Sequence, residues 1–374
     1  MRTIGLSLNQ FPSIPPALLD ENGANVASVE VLLNQLRHHY WLAKYGSDPV
    51  DGIFEYASHL TSGPDWRMKG NGIGADTESK RNISNELGKA FAQWFLTKYL
   101  GYTYFCPFEV AMRKGGYPAD HTWSRRSPGD LPDYVCGSTR DDICLLEAKG
   151  RYKQMKFTNR EFSVYRDQIL RACLRDKNGV EIAVKGFISV ACWATENDLR
   201  KSSKLLVEDP WTSGERDREL PLDVWTSMVQ GHYVSIFRRL QLPRVADSLE
   251  YGLPLLRGGH GERRGLWTCR LGPLEGRTFV GGIIPDSREI VHWASKFVRF
   301  SNDPYILLPQ TQFFGLEKNR FTETINSIKS RSAQRWDLEP IYVPDQLATL
   351  SFLRDGSILG PSSYFEPVGV VDVD

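Results

Sequence analysis

Two acidic residues and a lysine occur at a spacing at which a short hairpin would bring their side chains together. Asp133 follows Pro132, and Glu147 and Lys149 come later, after a stretch long enough for two short strands and a turn. Side chains two residues apart on a strand project from the same face, and directly opposed residues on antiparallel strands lie within a few ångströms. Two carboxylates held this close repel each other unless a cation lies between them.

The residue types therefore point to a divalent cation, and we expect Mg²⁺, with Mn²⁺ as a substitute. Mg²⁺ prefers oxygen ligands and keeps several waters. The expected ligands are Asp133, Glu147 and the backbone carbonyl of Ala148. A bound metal lowers the pKa of its water and neutralises charge on a phosphoryl oxygen, while the Lys149 ammonium can orient the water or stabilise the developing charge. This combination predicts hydrolysis of phosphodiester bonds.

A short hairpin is the element that must hold these three side chains. Leu131–Cys136 and Ile143–Lys149 are apolar runs, and the polar segment Gly137–Asp142 separates them. Two short apolar runs around such a segment are typical of a β-hairpin. Asp133 would lie in the first strand and Glu147 near the end of the second.

The hairpin is flanked by further predicted elements. Apolar side chains recur at helical spacing from Ile83 to Tyr99, which predicts a helix that ends at Gly101. Three more segments are expected to be a strand at Tyr102–Val110, a helix at about Arg160–Arg175 and a strand at Ala183–Ala194. The order helix, three strands, helix, strand predicts an α/β (α+β) fold with a mixed central sheet and helices on its faces.

This order of elements, with Asp133, Glu147 and Lys149 in it, resembles the PD-(D/E)xK nuclease superfamily, which includes many restriction endonucleases and phage-defence nucleases. The resemblance covers roughly residues 80–195 and implies a restriction-endonuclease-like αβββαβ core. It implies that Asp133 and Glu147 bind the metal and that Lys149 is the catalytic lysine. Members often carry a Glu on the first core helix and a Gln on the helix after the lysine. By resemblance, Glu86 would be a supporting metal ligand and Gln168 a contact to the site or to phosphate.

The resemblance also implies a substrate, a setting and partners. We expect a DNA endonuclease in restriction or anti-phage defence, acting as a homo-oligomer or with a partner protein from the same defence system. The nearly balanced charge, 46 Lys and Arg against 45 Asp and Glu, excludes a histone-like protein. A local basic surface is nevertheless enough to contact phosphates. The residues expected to do so lie around the hairpin: Arg125, Arg126, Arg151, Lys153, Lys156 and Arg160.

Three regions are predicted along the chain. Residues 1–78 form a helical preface and loop, with a helix at about Ser28–Tyr45, and residues 79–200 form the nuclease core. Residues 201–374, of unknown fold, would contact the target, a partner or another copy of the chain. Ser213–Arg218 is a candidate linker, and helices are expected at Trp225–Leu240 and Phe321–Arg331.

Composition limits the class of protein. Hydrophobic residues make up 41% of the chain, but no run approaches the roughly 18 apolar residues of a membrane span. The first residues also lack a signal-peptide core, so we expect a cytoplasmic protein with no membrane contact. The six cysteines form no C-x-x-C pair, which argues against a zinc site or a disulfide framework.

The motif alone is short, and alternatives remain open. Asp65, Glu78 and Lys80 satisfy the same string, although the segment around Glu78 is polar and lacks an apolar strand. Glu147 and Lys149 could form an ordinary surface pair. The chain could also be a catalytically inactive nuclease-like module that binds nucleic acid or protein, or an unrelated α/β interaction protein.

Overall fold

The computed structural model describes residues 1–44, 59–113, 119–212, 214, 219–255, 262–284, 311–330, 336–344 and 349–373. Contacts group the chain into two compact units, the first ending at His232 and the second beginning at Tyr233. The sequence predicted separate regions over 1–78, 79–200 and 201–374. In the structure residues 1–43 and 201–232 belong to the same compact unit as the predicted core.

The elements of the first unit, in chain order, have the following bounds. They are β1 (Arg2–Asn9), β2 (Ser28–Val31), α1 (Leu33–Ala43), β3 (Arg67–Met68), α2 (Thr77–Phe95), β4 (Tyr104–Pro107), α3 (Phe108–Ala111), β5 (His121–Arg125), β6 (Tyr134–Gly137), β7 (Cys144–Arg151), α4 (Arg160–Arg171), β8 (Ala172–Asp176), β9 (Glu181–Ile182), β10 (Lys185–Cys192), β11 (Ala194–Thr195) and β12 (Lys204–Glu208). Helix α5 (Leu222–Arg239) contains the point at which the two units divide.

A mixed sheet of seven strands forms the centre of the first unit. Its strand order is β2-β1-β12-β10-β7-β6-β4. Two neighbouring pairs, β1 with β12 and β7 with β10, are parallel, and the other pairs are antiparallel. The predicted α/β class with a mixed central sheet is therefore confirmed. Along the chain, α2, β4, β6, β7, α4 and β10 occur in the predicted order, but α3, β5, β8 and β9 lie between them, and the restriction-endonuclease-like core stays a prediction.

The predicted hairpin is present as β6 and β7, which pair antiparallel with Tyr134 opposite Leu146 and Cys136 opposite Cys144. Its turn is held by Asp142, whose Oδ1 accepts hydrogen bonds from the backbone N–H groups of Ser138 and of the residue after it, at 2.7 and 2.8 Å. Such hydrogen bonds from the backbone to a side chain order the turn.

Helix α2 follows the apolar stripe of the sequence and packs unusually close to β7. The Asp76 side chain caps its first turn by accepting from the Ser79 N–H at 2.8 Å. Gly101, with φ of 80°, ends the helical segment as predicted. A Cβ atom on Gly150 would lie only 1.7 Å from the carbonyl oxygen of Ser84. Because Gly150 has no side chain, α2 can contact the backbone of β7 next to Lys149.

Three predicted elements differ from those observed. The helix expected from Ser28 begins later, because Ser28–Val31 alternates exposed and buried residues and pairs with β1 as β2. The strand expected over Tyr102–Val110 splits into β4 and the short helix α3. The helix expected to reach Arg175 ends at Arg171, because the following residues, as β8, pair with β5. The expected linker Ser213–Arg218 lies outside the described residues except for Gly214.

The second unit is built on an antiparallel sheet. Its elements are α6 (Pro243–Tyr251), β13 (Arg263–Cys269), β14 (Thr278–Ile284), β15 (Gln312–Glu317), α7 (Lys318–Ser330), β16 (Ser351–Phe352), β17 (Ser357–Pro361) and β18 (Phe365–Asp372). The strand order is β16-β17-β15-β14-β13-β18. Helices α5 and α7 match the expected helices at Trp225–Leu240 and Phe321–Arg331.

Two chain-wide features bear on the composition. The six cysteines are buried and none of them is in a disulfide. Among the helices in the described part of the chain, none combines the length and apolar character needed to cross a membrane.

Candidate active site

The hairpin brings the three predicted residues together on one side of the central sheet. Lys149 Nζ lies 2.5 Å from Glu147 Oε1 and 3.4 Å from Asp133 Oδ2. Glu147 and Lys149 share a face of β7, as their spacing predicted. Asp133 lies one residue before β6 rather than inside it, and the Ala148 N–H donates to its Oδ2 at 3.0 Å. The backbone of one strand thus fixes the carboxylate of the other.

Asp133 is held as an ionised carboxylate. Besides Lys149 and the Ala148 N–H, it contacts Lys89 of helix α2, whose Nζ lies 2.9 Å from Oδ1. Burial by itself would raise the pKa of Asp133. The two ammonium groups and the backbone N–H outweigh burial, so the pKa of Asp133 lies below its ordinary value.

Glu147 is in the opposite electrostatic condition. Its side chain is 0% exposed, and burial, reinforced by the Asp133 carboxylate, raises the pKa of Glu147 to about 8 although the Lys149 ammonium acts to lower it. Neither carboxylate oxygen makes a hydrogen bond of acceptable geometry with the residues that the structure describes, despite the short distance to Lys149 Nζ. A buried acid with unsatisfied oxygens is uncommon and requires a partner.

The two lysines lie beside the acids and have raised pKa values. Burial would lower the pKa of Lys149, but the Asp133 and Glu147 carboxylates outweigh it and raise the pKa above its ordinary value. The pKa of Lys89 is also raised, since the attraction of Tyr134, Asp133 and Glu147 exceeds the effect of burial. Both amines are therefore protonated at neutral pH and cannot act as general bases.

The donor set fits a small divalent cation of the Mg²⁺ type. Mg²⁺ is commonly bound by one or two carboxylates together with waters, and the unsatisfied oxygens of Glu147 are suitable ligands next to Asp133. The N–H and C=O of one strand residue point to the same side, so the Ala148 carbonyl is directed to the side on which its N–H binds Asp133. No group of three or more His, Cys, Asp and Glu side chains suited to a metal occurs in the described ranges.

The expected third acid, Glu86, does not join Asp133 and Glu147 in such a group. It is half-buried, and its Oε2 accepts a hydrogen bond from the Tyr40 hydroxyl at 2.6 Å. Tyr40 belongs to α1, so this contact helps to connect α1 with α2. Lys89, three residues further along the same helix face, does reach Asp133.

Gln168 and Tyr165 lie on the buried side of α4. Gln168 Nε2 donates to the carbonyl oxygen of Leu131 at 3.4 Å, two residues before Asp133. The amide thereby supports the segment that leads to Asp133, and the expected contact of Gln168 to the site or to phosphate stays a prediction. Tyr165 is 4% exposed, which agrees with a core residue.

The predicted basic residues divide into exposed and engaged side chains. Lys153, Lys156 and Arg160 are exposed and follow β7 directly, and Lys153 contacts Glu161 at 3.3 Å. Arg151 donates to Asn85 Oδ1 at 2.8 Å, and Arg126 pairs with Glu181 at 2.5 Å. The remaining predicted residue, Arg125, is exposed and donates to the Gly129 carbonyl oxygen at 2.7 Å.

The string formed by Asp65, Glu78 and Lys80 does not form a second site of this kind. Asp65 pairs with Arg67 at 3.0 Å, and Glu78 lies exposed in the first turn of α2. This agrees with the polar character of the segment in the sequence.

Sequence reasoning missed Lys89. Its contact with Asp133 depends on how α2 crosses the hairpin, although its i+3 spacing from Glu86 was a usable signal. Comparison of the chain with family models, curated proteins and solved structures gave no match. The functional interpretation therefore rests on the geometry of this site.

Proposed function

We propose that this protein is a metal-dependent phosphodiesterase, and specifically a nuclease that cleaves DNA. The single observation that carries the proposal is that the fully buried Glu147 carboxylate lies beside a second carboxylate, with the Lys149 ammonium as its ion-pair partner at 2.5 Å. Two carboxylates held this close favour a cation between them.

In this proposal Asp133, Glu147 and the Ala148 carbonyl hold Mg²⁺. The bound cation would supply an activated water and neutralise charge on the phosphate. Lys149, protonated and 19% exposed, can donate a hydrogen bond to a phosphoryl oxygen or to the attacking water. Glu147 must lose its proton to act as a ligand, and Asp133, already ionised, provides the permanent negative charge of the site.

The proposed substrate is supported by the surface next to the site. Lys153, Lys156 and Arg160 are exposed directly after β7, where they can contact successive phosphates. DNA as the substrate, and a role in restriction or anti-phage defence with a homo-oligomer or partner protein, extend the proposal on the strength of the resemblance.

The test is cleavage of plasmid and of single- and double-stranded oligonucleotides by the purified full chain, with Mg²⁺, with Mn²⁺ or with EDTA. We expect metal-dependent cleavage that falls by at least about 100-fold in Glu147→Gln and Lys149→Met. Asp141→Asn is the matched control, since Asp141 is an exposed acid in the turn of the same hairpin. Metal-dependent cleavage that persists in both site variants would overturn the assignment.

The defence role has its own test. Cells that carry the gene are challenged with phage and with foreign plasmid DNA, and the resistance of wild type is compared with that of Asp133→Asn. Equal resistance in the two strains would contradict a role for the site in defence.

One observation favours a second candidate function. Without any metal, Asp133 contacts both ammonium groups of the site, so protein side chains already neutralise its carboxylate. Such a cluster suits a nuclease-like module that binds nucleic acid without cutting it. DNA binding that is retained in the absence of divalent cations, with no cleavage over a range of metals and substrates, would favour this alternative.

A further inference from the structure

Lys89 occupies a special position at the candidate site. It belongs to α2, and the neighbouring Gly88 packs against the backbone of Lys149, where an added Cβ would lie 2.4 Å from the carbonyl carbon. This close packing fixes the base of the Lys89 side chain beside the hairpin. The ammonium then spans from the helix to Asp133 Oδ1 at 2.9 Å.

The two oxygens of Asp133 have different partners. Oδ2 accepts from the Ala148 N–H and lies near Lys149, both of which are parts of the hairpin itself. Oδ1 is contacted by Lys89, which comes from another element. The partners of Oδ2 belong to the same hairpin as Asp133, whereas the contact to Oδ1 depends on one long side chain.

Exposure indicates which of these groups can leave. The side chain of Lys89 is 35% exposed, against 19% for Lys149 and 0% for Glu147. A partly exposed lysine has a flexible stem, and its ammonium is rehydrated when it moves to water. A buried lysine would have to cross the packed interior. Among the groups that contact Asp133, Lys89 is therefore the one whose displacement costs the least free energy.

We propose that Lys89 is a built-in counter-ion which a divalent cation displaces from Asp133, so that Lys89 and the metal compete for Oδ1. The proposal rests on the function proposed above, because it concerns the same metal site. Its consequence is a weakened metal affinity in the resting protein and an Asp133 carboxylate that has a counter-ion before the metal arrives. Displacement also leaves the Lys89 ammonium in solvent beside the site, where a phosphodiester oxygen can bind it.

Calorimetric titration of the full-length protein with Mn²⁺ alone tests the proposal without measuring activity. Lys89→Met removes the competitor, and the Mn²⁺ affinity should rise on the order of fivefold, the change expected when a partly exposed ion pair is removed. Lys80→Met, a lysine on the first turn of the same helix, is the control for removal of one charge. Lys89→Gln provides a second neutral variant should Lys89→Met fail to fold.

The outcomes separate this proposal from the proposed function. Equal Mn²⁺ affinities in wild type and both Lys89 variants would overturn the competition while leaving the metal site intact. Absence of Mn²⁺ binding in every protein would overturn both. Binding in the Lys89 variants alone would support the competition in its strongest form.

A second measurement observes the displacement itself. In protein labelled with ¹⁵N at lysine, the side-chain signal of Lys89 is assigned from its disappearance in Lys89→Met and followed during Mg²⁺ addition. A shift that saturates together with metal binding is expected. A Lys89 signal that stays constant while Mg²⁺ binds would rule the proposal out.

Discussion

Glu147 and Glu208 lie on either side of Ile188 in the central sheet, in register across three strands, and both are fully buried. Glu208 is enclosed by donors, with Arg166 at 2.6 and 2.9 Å and the Asn9 amide at 3.1 Å. Glu147 has the Lys149 ammonium nearby, but its oxygens accept no hydrogen bond from the described residues. The same residue type is thus enclosed by donors on one strand and lies beside a second carboxylate and an ammonium two strands away.

The first prediction concerns the stability of the metal-free protein as a function of pH. The pKa of Glu147 is about 8 in the folded chain, above the ordinary value of 4.5. Between these values the folded protein holds a proton that the unfolded chain has released, so stability falls as pH rises from about 5 to 8. One proton corresponds to a slope of up to about 1.4 kcal/mol per pH unit.

Urea unfolding in EDTA at pH 5, 6, 7 and 8 measures this slope. Glu147→Gln should remove it and be more stable than wild type at pH 8. Asp133, whose pKa lies below its ordinary value, contributes in the opposite direction at lower pH and stays outside this window. Parallel pH profiles for wild type and Glu147→Gln would show that Glu147 is not protonated as described.

The second prediction concerns the buried pair of Arg166 and Glu208. Arg166→Met leaves the Glu208 carboxylate buried with one amide donor, and we expect a decrease of about 2 to 3 kcal/mol in the free energy of unfolding. This is less than for a fully buried pair because the Arg166 side chain is 33% exposed. Arg160→Met, an exposed arginine on the same helix, should change stability little. Adding Glu208→Gln to Arg166→Met should recover part of the stability, and no recovery would contradict the charge-burial explanation.

The third prediction concerns the close contact between α2 and β7. A Gly→Ala change in a helix ordinarily stabilises by about 1 kcal/mol, but at Gly88 the new Cβ would lie 2.4 Å from the Lys149 carbonyl carbon. We therefore expect Gly88→Ala to destabilise by about 1 to 3 kcal/mol, because the helix must move away from the strand. Arg81→Ala, exposed on the same helix, is the control. A thermal midpoint for Gly88→Ala equal to or above that of wild type would contradict this packing.

The fourth prediction concerns DNA binding. Replacement of Lys153, Lys156 and Arg160 by Gln should reduce the slope of log affinity against log salt by up to about 0.9 for each phosphate that the variant no longer neutralises. Arg126→Gln should have a smaller effect, because its guanidinium already pairs with Glu181. Fluorescence anisotropy with a labelled duplex at several salt concentrations, on the Glu147→Gln background, provides the measurement. Lys177→Gln, which changes an exposed lysine in the turn after β8, is the control. A triple variant with the same slope as the Glu147→Gln background would exclude the three residues as phosphate contacts.

Local patterns in the sequence predicted the part of the site that one hairpin builds. The alternation of apolar runs and turn residues determines how β6 and β7 pair, and the spacing of Glu147 and Lys149 places them on one face. The apolar stripe of α2 and the stop at Gly101 were predicted for the same reason, since both depend on neighbours within a few residues.

Contacts between distant segments could not be predicted in this way. Pairing of β1 with β12 joins Gly5 to Lys204, and no local pattern encodes such a partner. Lys89 reaches Asp133 because Gly88 and Gly150 let α2 approach β7. This contact depends on how α2, β7 and the segment before β6 pack together, which no local pattern encodes. Tertiary pairing likewise overrode helical propensity at Ala172–Asp176, where the chain leaves α4 to pair with β5.

The position of β1 has a practical consequence. In the central sheet, β1 lies between β2 and β12. A shortened protein that started at residue 79 would lack β1 and β2 of this sheet and would leave the apolar β12 with an open backbone edge. Such an edge recruits strands from other molecules. The first strand, although distant from the candidate site in the sequence, thus protects the sheet against aggregation, and a shortened form of this chain would have to retain its first nine residues.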